Sequence, residues 1–441
     1  MKILWPDPRR VLFFCAGLDL AGLLALLAAI SLLKETSLQA QLPWLVFTAV
    51  TYLGLGWLFG SYTVLRWRRL PPEVVLLRVL INGLVTVVVV ALARLLLNPA
   101  EAVWLVHRST QAIWLPLLML WSVVLRVLLR RGLFIPPAPK LVLVGSPEET
   151  QGFLAAWNRT PLGQPLRCLS LEDAVRLEPP VVLAIAPSSD PSVQQQALMD
   201  QLLKRDPRET SLISPLQLLE RQLERLPPVL LPDPWIDYQD LSWNRVFSLE
   251  RQLKRFADLL VSVFLLVLTT PFLLIAIFLI WLEDRGPVFY CQQRSGWLGC
   301  SFQVYKLRTM TVAPENAPAI WTVPGDRRIT RVGTWLRRLR LDELPQLINV
   351  LRGDMSLIGP RPERPELEHE LEERIPHYRK RYWMRPGLSG WAQVCAPYAA
   401  SVEDSDLKLS YDLFYLKNFS IWLDMIILFR TIKTVLKASG R

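Results

Sequence analysis

The chain has 441 residues and a net charge of +11, with 51% hydrophobic and 20% charged residues. That length suits roughly two or three domains. The positive mean hydropathy excludes a purely soluble protein, and the charge excludes one made only of membrane spans. A basic balance fits nucleic acid, anionic lipid headgroups or a phosphorylated substrate, and the apolar runs favour the last two.

Four apolar runs open the chain, near Val11–Leu33, Leu42–Tyr62, Val74–Leu97 and Ala112–Leu129. Each is about 20 residues, the length that crosses a hydrocarbon core. The first lacks a small-residue cleavage site and is followed by further runs, so it does not read as a cleavable signal. Lys2, Arg9 and Arg10 precede the first run, Arg66, Arg68 and Arg69 follow the second, and Arg126, Arg130 and Arg131 close the fourth. The other connections carry only Lys34 beside Glu35, and Arg108 after Glu101. Positive-inside logic places the N-terminus, the second connection and everything after residue 131 in the cytoplasm. Asp19 and Arg94 lie within apolar runs; Arg94 can snorkel at a helix end, whereas Asp19 is either a helix-packing residue or a functional one.

Pro136-Pro-Ala-Pro139 makes a stiff linker. Lys140-Leu-Val-Leu-Val-Gly145 and Val181-Val-Leu-Ala-Ile-Ala186 read as buried parallel strands, with a helix over residues 191–204. Strand, helix, strand predicts a small doubly wound α/β segment. The dinucleotide fingerprint is absent, since Gly145-Ser-Pro-Glu-Glu-Thr150 has one glycine where three are wanted. The expectation is a structural or regulatory spacer, not an NAD site.

A fifth apolar run covers Phe256–Leu282, with Thr269-Thr-Pro271 in its middle. Proline removes a helix hydrogen bond and clashes with the preceding turn. Two halves of roughly 14 residues would each reach about 20 Å, which suits a helix that enters one leaflet, bends at Pro271 and leaves by the same face. Lys254 and Arg255 before the run, and Arg285 and Arg294 after it, favour that re-entry. A fifth span with a proline kink is the alternative.

Beyond this run arginine, glycine and proline become dense. Gly286 to Gly299 reads as strands with tight turns, and Phe302 to Met310 as a strand whose alternation puts Lys306 and Arg308 on one face, a phosphate grip or simply an exposed basic strand. In Leu341-Asp-Glu-Leu-Pro-Gln346, apolar Leu344, Leu347, Ile348 and Leu351 recur at helical spacing, and proline is tolerated in a first helical turn. A helix starting near Asp342 would set Asp342 and Glu343 at the positive end of its dipole, keeping Asp342 ionised and attracting phosphate. Ordinary capping also explains such a pair. Arg337, Arg338 and Arg340 before it and Arg352, Arg361 and Arg364 after it shift the balance, because a carboxylate that attacks a diphosphate needs cations to offset repulsion.

The five cysteines form no Cys-x-x-Cys pair, and His107, His369 and His377 show no metal-ligand spacing. Any metal is therefore expected on oxygen ligands, as Mg²⁺ is. The tail from Tyr411 reads as helical; Trp422, Ile426, Phe429, Lys433 and Lys437 suit an interfacial amphipathic helix or one packed on the preceding domain.

Several of these blocks together resemble the bacterial sugar transferase family, the monotopic polyprenyl-phosphate phosphoglycosyl transferases. They are Lys306-Leu-Arg-Thr-Met310, Asp326-Arg-Arg-Ile-Thr-Arg-Val-Gly333, Leu341 to Gln346, Asn349-Val-Leu-Arg-Gly-Asp-Met-Ser-Leu-Ile-Gly-Pro-Arg-Pro362 and Arg385-Pro-Gly-Leu-Ser-Gly-Trp-Ala-Gln393. The resemblance covers about residues 250–440. It implies a re-entrant helix broken at proline and an Asp-Glu dyad whose Asp, here Asp342, is the nucleophile, with Mg²⁺ at or near Asp342 and Glu343. The N-terminal runs resemble the long subgroup that starts exopolysaccharide or O-antigen synthesis.

The expected fold is thus a membrane helical bundle (1–135), a Rossmann-like α/β domain (136–240) and an α+β catalytic domain (250–441) with re-entrant helix 256–282. The expected reaction moves a sugar phosphate from a UDP-sugar to polyprenyl phosphate, releasing UMP. Lys306, Arg308, Arg361 and Arg364 are the candidate phosphate-binding residues. The residues permit a covalent step on Asp342 or direct attack by the lipid phosphate. The rival classes are a non-catalytic scaffold for polysaccharide assembly and a nucleic-acid binder. The second is disfavoured because the arginines cluster around the carboxylate pair. A homodimer is compatible with this reading and not required by it.

Overall fold

Long apolar stretches form helices because only intrasegment hydrogen bonds satisfy their backbones away from water. The computed structural model describes residues 8–33, 41–59, 61–62, 72–97, 105, 107–130, 140–159, 166–187, 193–207, 209–241, 248–311, 326, 328–396 and 401–436. The predicted linker Pro136–Pro139, the basic connection 66–69, and Lys2, Lys34, Glu35, Glu101, Arg131 and Lys437 lie outside them. Two units are formed. One holds Met1–Lys140 with Glu178–Val181 and Arg205–Ser211; the other holds Leu141–Leu177, Val182–Lys204 and Leu212–Arg441.

The first unit contains α1 (Pro8–Leu33), α2 (Leu42–Leu58), α3 (Pro72–Leu97) and α4 (Arg108–Arg130). Three of them hold segments long and apolar enough to cross a membrane: Phe13–Leu33, Leu76–Leu97 and Ser109–Leu129. The second is shorter than expected. It ends at Leu58, and the Ser61 N–H turns back to the Gly56 carbonyl at 2.7 Å. Tyr62 then packs with Cys15, Leu125 and Leu129 instead of extending the helix. Outward faces carry exposed Val88, Leu92 and Leu120, while Leu23, Leu27, Tyr52, Trp114 and Leu118 form the interior.

Asp19 is buried and packs helix on helix through a polar network. Arg126 Nη2 and Nη1 donate to its two carboxylate oxygens at 2.8 and 3.2 Å, and Ser122 Oγ donates to Oδ1 at 2.6 Å. Tyr52 Oη lies 3.0 Å from Ser122 Oγ. Arg126, expected as a cytoplasmic flanking cation, is therefore a correction. The fourth helix runs on to Arg130, so Arg126 lies one turn inside it, facing Asp19.

An α/β region, most of it in the second unit, is made by β1 (Lys140–Val144), α5 (Pro147–Asn158), β2 (Arg167–Leu169), α6 (Leu171–Arg176), β3 (Val181–Ile185), α7 (Val193–Leu203), β4 (Thr210–Ile213) and α8 (Pro215–Leu223). The sheet order is β2-β1-β3-β4, with β1 and β2 parallel. The turn after β1 is closed by its own residues: Ser146 Oγ accepts from the Glu149 N–H, and Glu149 accepts from the Ser146 N–H. This capping box occupies donors that a phosphate would need at a helix N-terminus.

The rest of the unit follows α9 (Leu249–Asp284), a single 36-residue helix. Its length is roughly 54 Å at about 1.5 Å per residue. Pro271 lies inside it without ending it, which differs from the expected pair of separate halves. Thr269 and Thr270 hydroxyls donate to the Leu265 and Leu266 carbonyls at 2.7 and 2.6 Å, so the backbone around the proline is bridged by side chains. Near the start of α9, Lys254 pairs with Asp424 at 2.7 Å and Asp258 accepts from Ser356 and Leu357. Near its end, Ala276 and Ile280 pack with Leu307 and Leu336. Between these contacts Val263, Phe264, Val267, Leu268 and Phe272 are exposed.

A hairpin of β5 (Phe289–Ser295) and β6 (Ser301–Leu307) comes next, then α10 (Arg331–Leu339), a 3₁₀ turn (Leu341–Gln346) and α11 (Leu347–Arg352). Strands β7 (Ser356–Ile358) and β8 (Gly387–Ser389) pair in parallel around α12 (Pro365–Arg374). Gly359 and Gly387 are in backbone contact: a Cβ on Gly387 would stand 2.1 Å from the Gly359 nitrogen. That approach fixes where the Pro360–Arg361 loop leaves β7. Helices α13 (Trp391–Cys395), α14 (Val402–Lys417) and α15 (Ile421–Leu436) finish the chain. The predicted single tail helix is thus two, broken where Ser420 Oγ accepts the Leu423 N–H and starts a new helix. Leu423 and Ile427 enter the core while Trp422 and Met425 stay exposed, so one face of α15 packs on the domain.

Candidate active site

Helix α10 delivers the carboxylate pair. Glu283, at the end of α9, accepts the Arg331 and Val332 N–H groups and so caps α10. The helix stops at Arg340, whose φ of 58° is in the left-handed region that costs a non-glycine residue about 1 kcal/mol or more. This reversal turns the chain into the 3₁₀ turn and points Asp342 and Glu343 at the hairpin. The expected α-helix start at Asp342 is corrected: α11 begins at Leu347, five residues later than Asp342. Pro345 and the left-handed Arg340 keep the intervening turn tight.

Glu343 is the charge hub, with only 11% of its side chain exposed. Its Oε1 accepts from Arg361 Nη2 at 2.5 Å and from Lys306 Nζ at 3.2 Å, and its Oε2 faces Arg340 Nη1 at 3.5 Å. Burial alone would raise its pKa, but Arg361, Lys306 and Arg340 outweigh burial and hold it well below the ordinary carboxylate range. Asp342 is different. Its Oδ1 is buried with no hydrogen-bond partner. Burial first, and then the charge of Glu343, push its carboxyl up to about 6. Lys306, Arg337 and Arg340 pull the other way without prevailing. Desolvation therefore outweighs the stabilisation of the anion expected from a helix N-terminus. Capping does not account for Asp342 either, since the 3₁₀ turn has no side-chain cap.

Of the predicted phosphate-binding residues, Lys306 and Arg361 meet at Glu343. Arg308 does not join them. Strand β6 ends at Leu307, and Arg308 instead pairs with Asp284 at the end of α9. Arg364 stands at the N-terminal boundary of α12, its charge felt by Arg294. Of the remaining arginines flanking the pair in sequence, Arg337 donates to Thr309 at 2.8 Å, Arg338 lies over the Trp335 ring at 5.4 Å and Arg352 donates to Tyr305 at 2.7 Å.

Two buried groups escaped sequence reasoning. Arg381 Nη2 donates to the Arg361 carbonyl at 2.8 Å and to Asp412 at 3.1 Å, so Asp412 and Arg381 hold the Arg361 loop from behind. Burial raises the Asp412 carboxyl to about 6 despite Arg381. The signal was available: Asp412 is a lone charge among Leu409, Tyr411, Leu413 and Phe414, and a buried charge needs a partner.

Among the described residues no three His, Cys, Asp or Glu side chains converge as a metal site. A magnesium ion bound through one or two carboxylates and substrate phosphates needs less. Asp342 Oδ1 is the open oxygen that fits this mode, whereas Glu343 is already surrounded by cations.

The family model described as bacterial sugar transferase matches residues 249–438, which span α9, the hairpin, the carboxylate pair and α15. The UDP-N-acetylgalactosamine-undecaprenyl-phosphate N-acetylgalactosaminephosphotransferase of Aeromonas hydrophila is 47% identical over 188 residues, 43% of this chain and 44% of its own. The undecaprenyl-phosphate glucose phosphotransferase of Komagataeibacter xylinus is 44% identical over 186 residues, 41% of this chain and 35% of its own. The match thus spans less than half of either relative. The UDP-glucose:undecaprenyl-phosphate glucose-1-phosphate transferase of Caulobacter vibrioides is 42% identical over 185 residues, 42% of this chain and 69% of its own. With most of that last relative covered, and with apolar helices α1 to α4 ahead of the matched region as in the long form, the chain belongs to the bacterial sugar transferase family.

Proposed function

We propose that this protein transfers a sugar 1-phosphate from a UDP-sugar to undecaprenyl phosphate, giving undecaprenyl-diphosphate-sugar and UMP, and so starts the assembly of a surface polysaccharide. One observation carries the reading: a buried Asp342 oxygen without a partner, beside a glutamate that gathers three cations. A carboxylate kept free of hydrogen bonds retains its nucleophilicity, and the adjacent cations offset repulsion from a diphosphate. The names of the relatives supply the substrate class.

In the proposed first step an Asp342 oxygen attacks the sugar-linked phosphorus. The bond from that phosphorus to the bridging oxygen breaks, and UMP leaves with the bridging oxygen. In the second step a phosphate oxygen of the lipid attacks the same phosphorus and releases the Asp342 carboxylate. Lys306 and Arg361 hold phosphate oxygens, and Glu343 holds those two cations in place. Mg²⁺, held by Asp342 and the diphosphate, would neutralise charge on the reacting phosphates.

The chain is read as three segments, 1–135, 136–240 and 250–441, with a Rossmann-like middle segment and α9 re-entering the membrane from the cytoplasmic side. Re-entry is supported by contacts at both ends of α9 with one and the same unit, around an exposed apolar middle. In a cysteine-free background, Gln252→Cys and Arg285→Cys should both react with an impermeant maleimide in inverted vesicles. Reaction at one position only would make α9 a crossing helix.

The activity test is a UDP-sugar panel on purified membranes. UMP release should require both one sugar nucleotide and undecaprenyl phosphate, stop on chelation and return with Mg²⁺. Absence of UMP release with every sugar nucleotide would overturn the proposed function.

A further inference from the structure

The hairpin presents a second cation to the site. Cross-strand neighbours in an antiparallel pair share a face. The register sets Tyr290 opposite Lys306, Gln292 opposite Val304 and Arg294 opposite Phe302. Arg294 and Lys306 therefore point to the same side of the sheet, the side on which Lys306 reaches Glu343. Arg294 is only 17% exposed, yet among the described residues its one ion-pair partner, Glu363, is 4.0 Å away. Its closer partners are neutral: Gln292 Oε1 at 2.8 Å and the Pro362 carbonyl at 3.3 Å. Glu343 meanwhile is used up by Lys306, Arg340 and Arg361.

Cations thus outnumber carboxylates on this face, in a place where water screens them poorly. Burial first, then the like charges of Arg361 and Arg364, push the Arg294 pKa down to about 10. A guanidinium left without a close counter-ion, tethered by neutral acceptors, is held for an anion that arrives from outside. The Ser295 N–H, bonded to the Glu363 carbonyl at 3.0 Å, ties this strand to the loop that carries Arg361. That bond holds the backbone segments that carry the two guanidiniums side by side.

We propose that Arg294 is a substrate-binding residue that takes a phosphate group, sharing the anion with Arg361, which unlike Arg294 also holds Glu343. This rests on the proposed transferase activity. The ligand chemistry, a phosphate oxygen, is shared by the nucleotide and the lipid, and the nucleotide is the assigned source because Arg294 shares its face with Lys306 and the carboxylate pair.

The test uses the full-length protein in detergent or nanodiscs. Arg294→Gln should raise the KM for the UDP-sugar and the inhibition constant for UMP by about tenfold or more, the loss expected of one charge-assisted contact. It should leave the KM for undecaprenyl phosphate in place, and Arg294→Lys should recover part of the loss. Thermal stabilisation by added UMP, a readout independent of turnover, should shrink in Arg294→Gln. A rise in the lipid KM alone would keep the phosphate role and reassign it to the lipid. Unchanged KM values and UMP effect, with only kcat or the melting temperature lowered, would reduce Arg294 to a structural residue and overturn the proposal. Wild-type protein inactive with every UDP-sugar would count against the transferase reading and not against this residue, because UMP stabilisation could still be compared.

Discussion

Asp342→Asn is expected to abolish UMP release, by at least about a thousandfold, since removing an attacking group leaves only the binding contribution of the site. The change is nearly isosteric. It leaves Glu343 with Lys306, Arg340 and Arg361, so the loss is expected in kcat more than in KM for the UDP-sugar. In the wild type, a quench of the enzyme with labelled UDP-sugar and no lipid should trap one phosphosugar per active site; in Asp342→Asn it should trap none. An Asp342→Asn variant that still turns over at the wild-type rate would sink the covalent role and leave direct attack by the lipid phosphate.

The same carboxyl sets the acid side of the pH profile. Burial and Glu343 raise Asp342 to about 6, and the attacking form is the anion. Turnover should therefore rise as pH climbs through about 6 and fall away below it, with the apparent value belonging to the Asp342–Glu343 pair. Stability follows the opposite sign. A carboxyl with a raised folded pKa binds more protons folded than unfolded, so stability falls as pH rises from the ordinary carboxylate range to about 6. Asp342→Asn removes that cost, and the inactive variant should melt no lower than the wild type at pH 7. This distinguishes lost chemistry from lost folding.

What the sequence disclosed and what it withheld divide along physical lines. Helix positions in the first unit were legible because an apolar run in lipid has one way to satisfy its backbone. The carboxylate pair was legible as a composition, two acids among arginines. Its geometry was not: the left-handed Arg340 and the 3₁₀ turn depend on packing against the hairpin, which no local pattern announces. Arg308 illustrates the same gap. Strand alternation put it beside Lys306, but the strand stops one residue earlier and Asp284, 24 residues upstream, claims it. Arg294 could not be singled out from flanking charge alone, because its meaning comes from the cross-strand register and from the acid that is missing nearby.

Asp19→Ala should be among the most destabilising single changes in the first unit, by about 3–5 kcal/mol, because it strands a buried guanidinium. Arg126 is 2% exposed at its side chain and Asp19 is fully enclosed. Without Asp19, Arg126 keeps, among the described residues, the Ser61 and Ser122 carbonyls at 3.0 and 2.8 Å and the Tyr62 ring at 5.1 Å. None of these carries a negative charge. Arg126→Leu leaves a lone buried carboxylate with Ser122 and should cost a similar amount. The double replacement Asp19→Leu with Arg126→Leu removes both charges at once and should lie close to the wild type, since a well-packed apolar pair often equals a buried ion pair in stability. Thermal unfolding of the four proteins in one detergent gives the coupling free energy directly. Single variants within about 1 kcal/mol of the wild type, with additive behaviour in the double variant, would mean that water or lipid headgroups reach this pair and that the network does not hold the helices together.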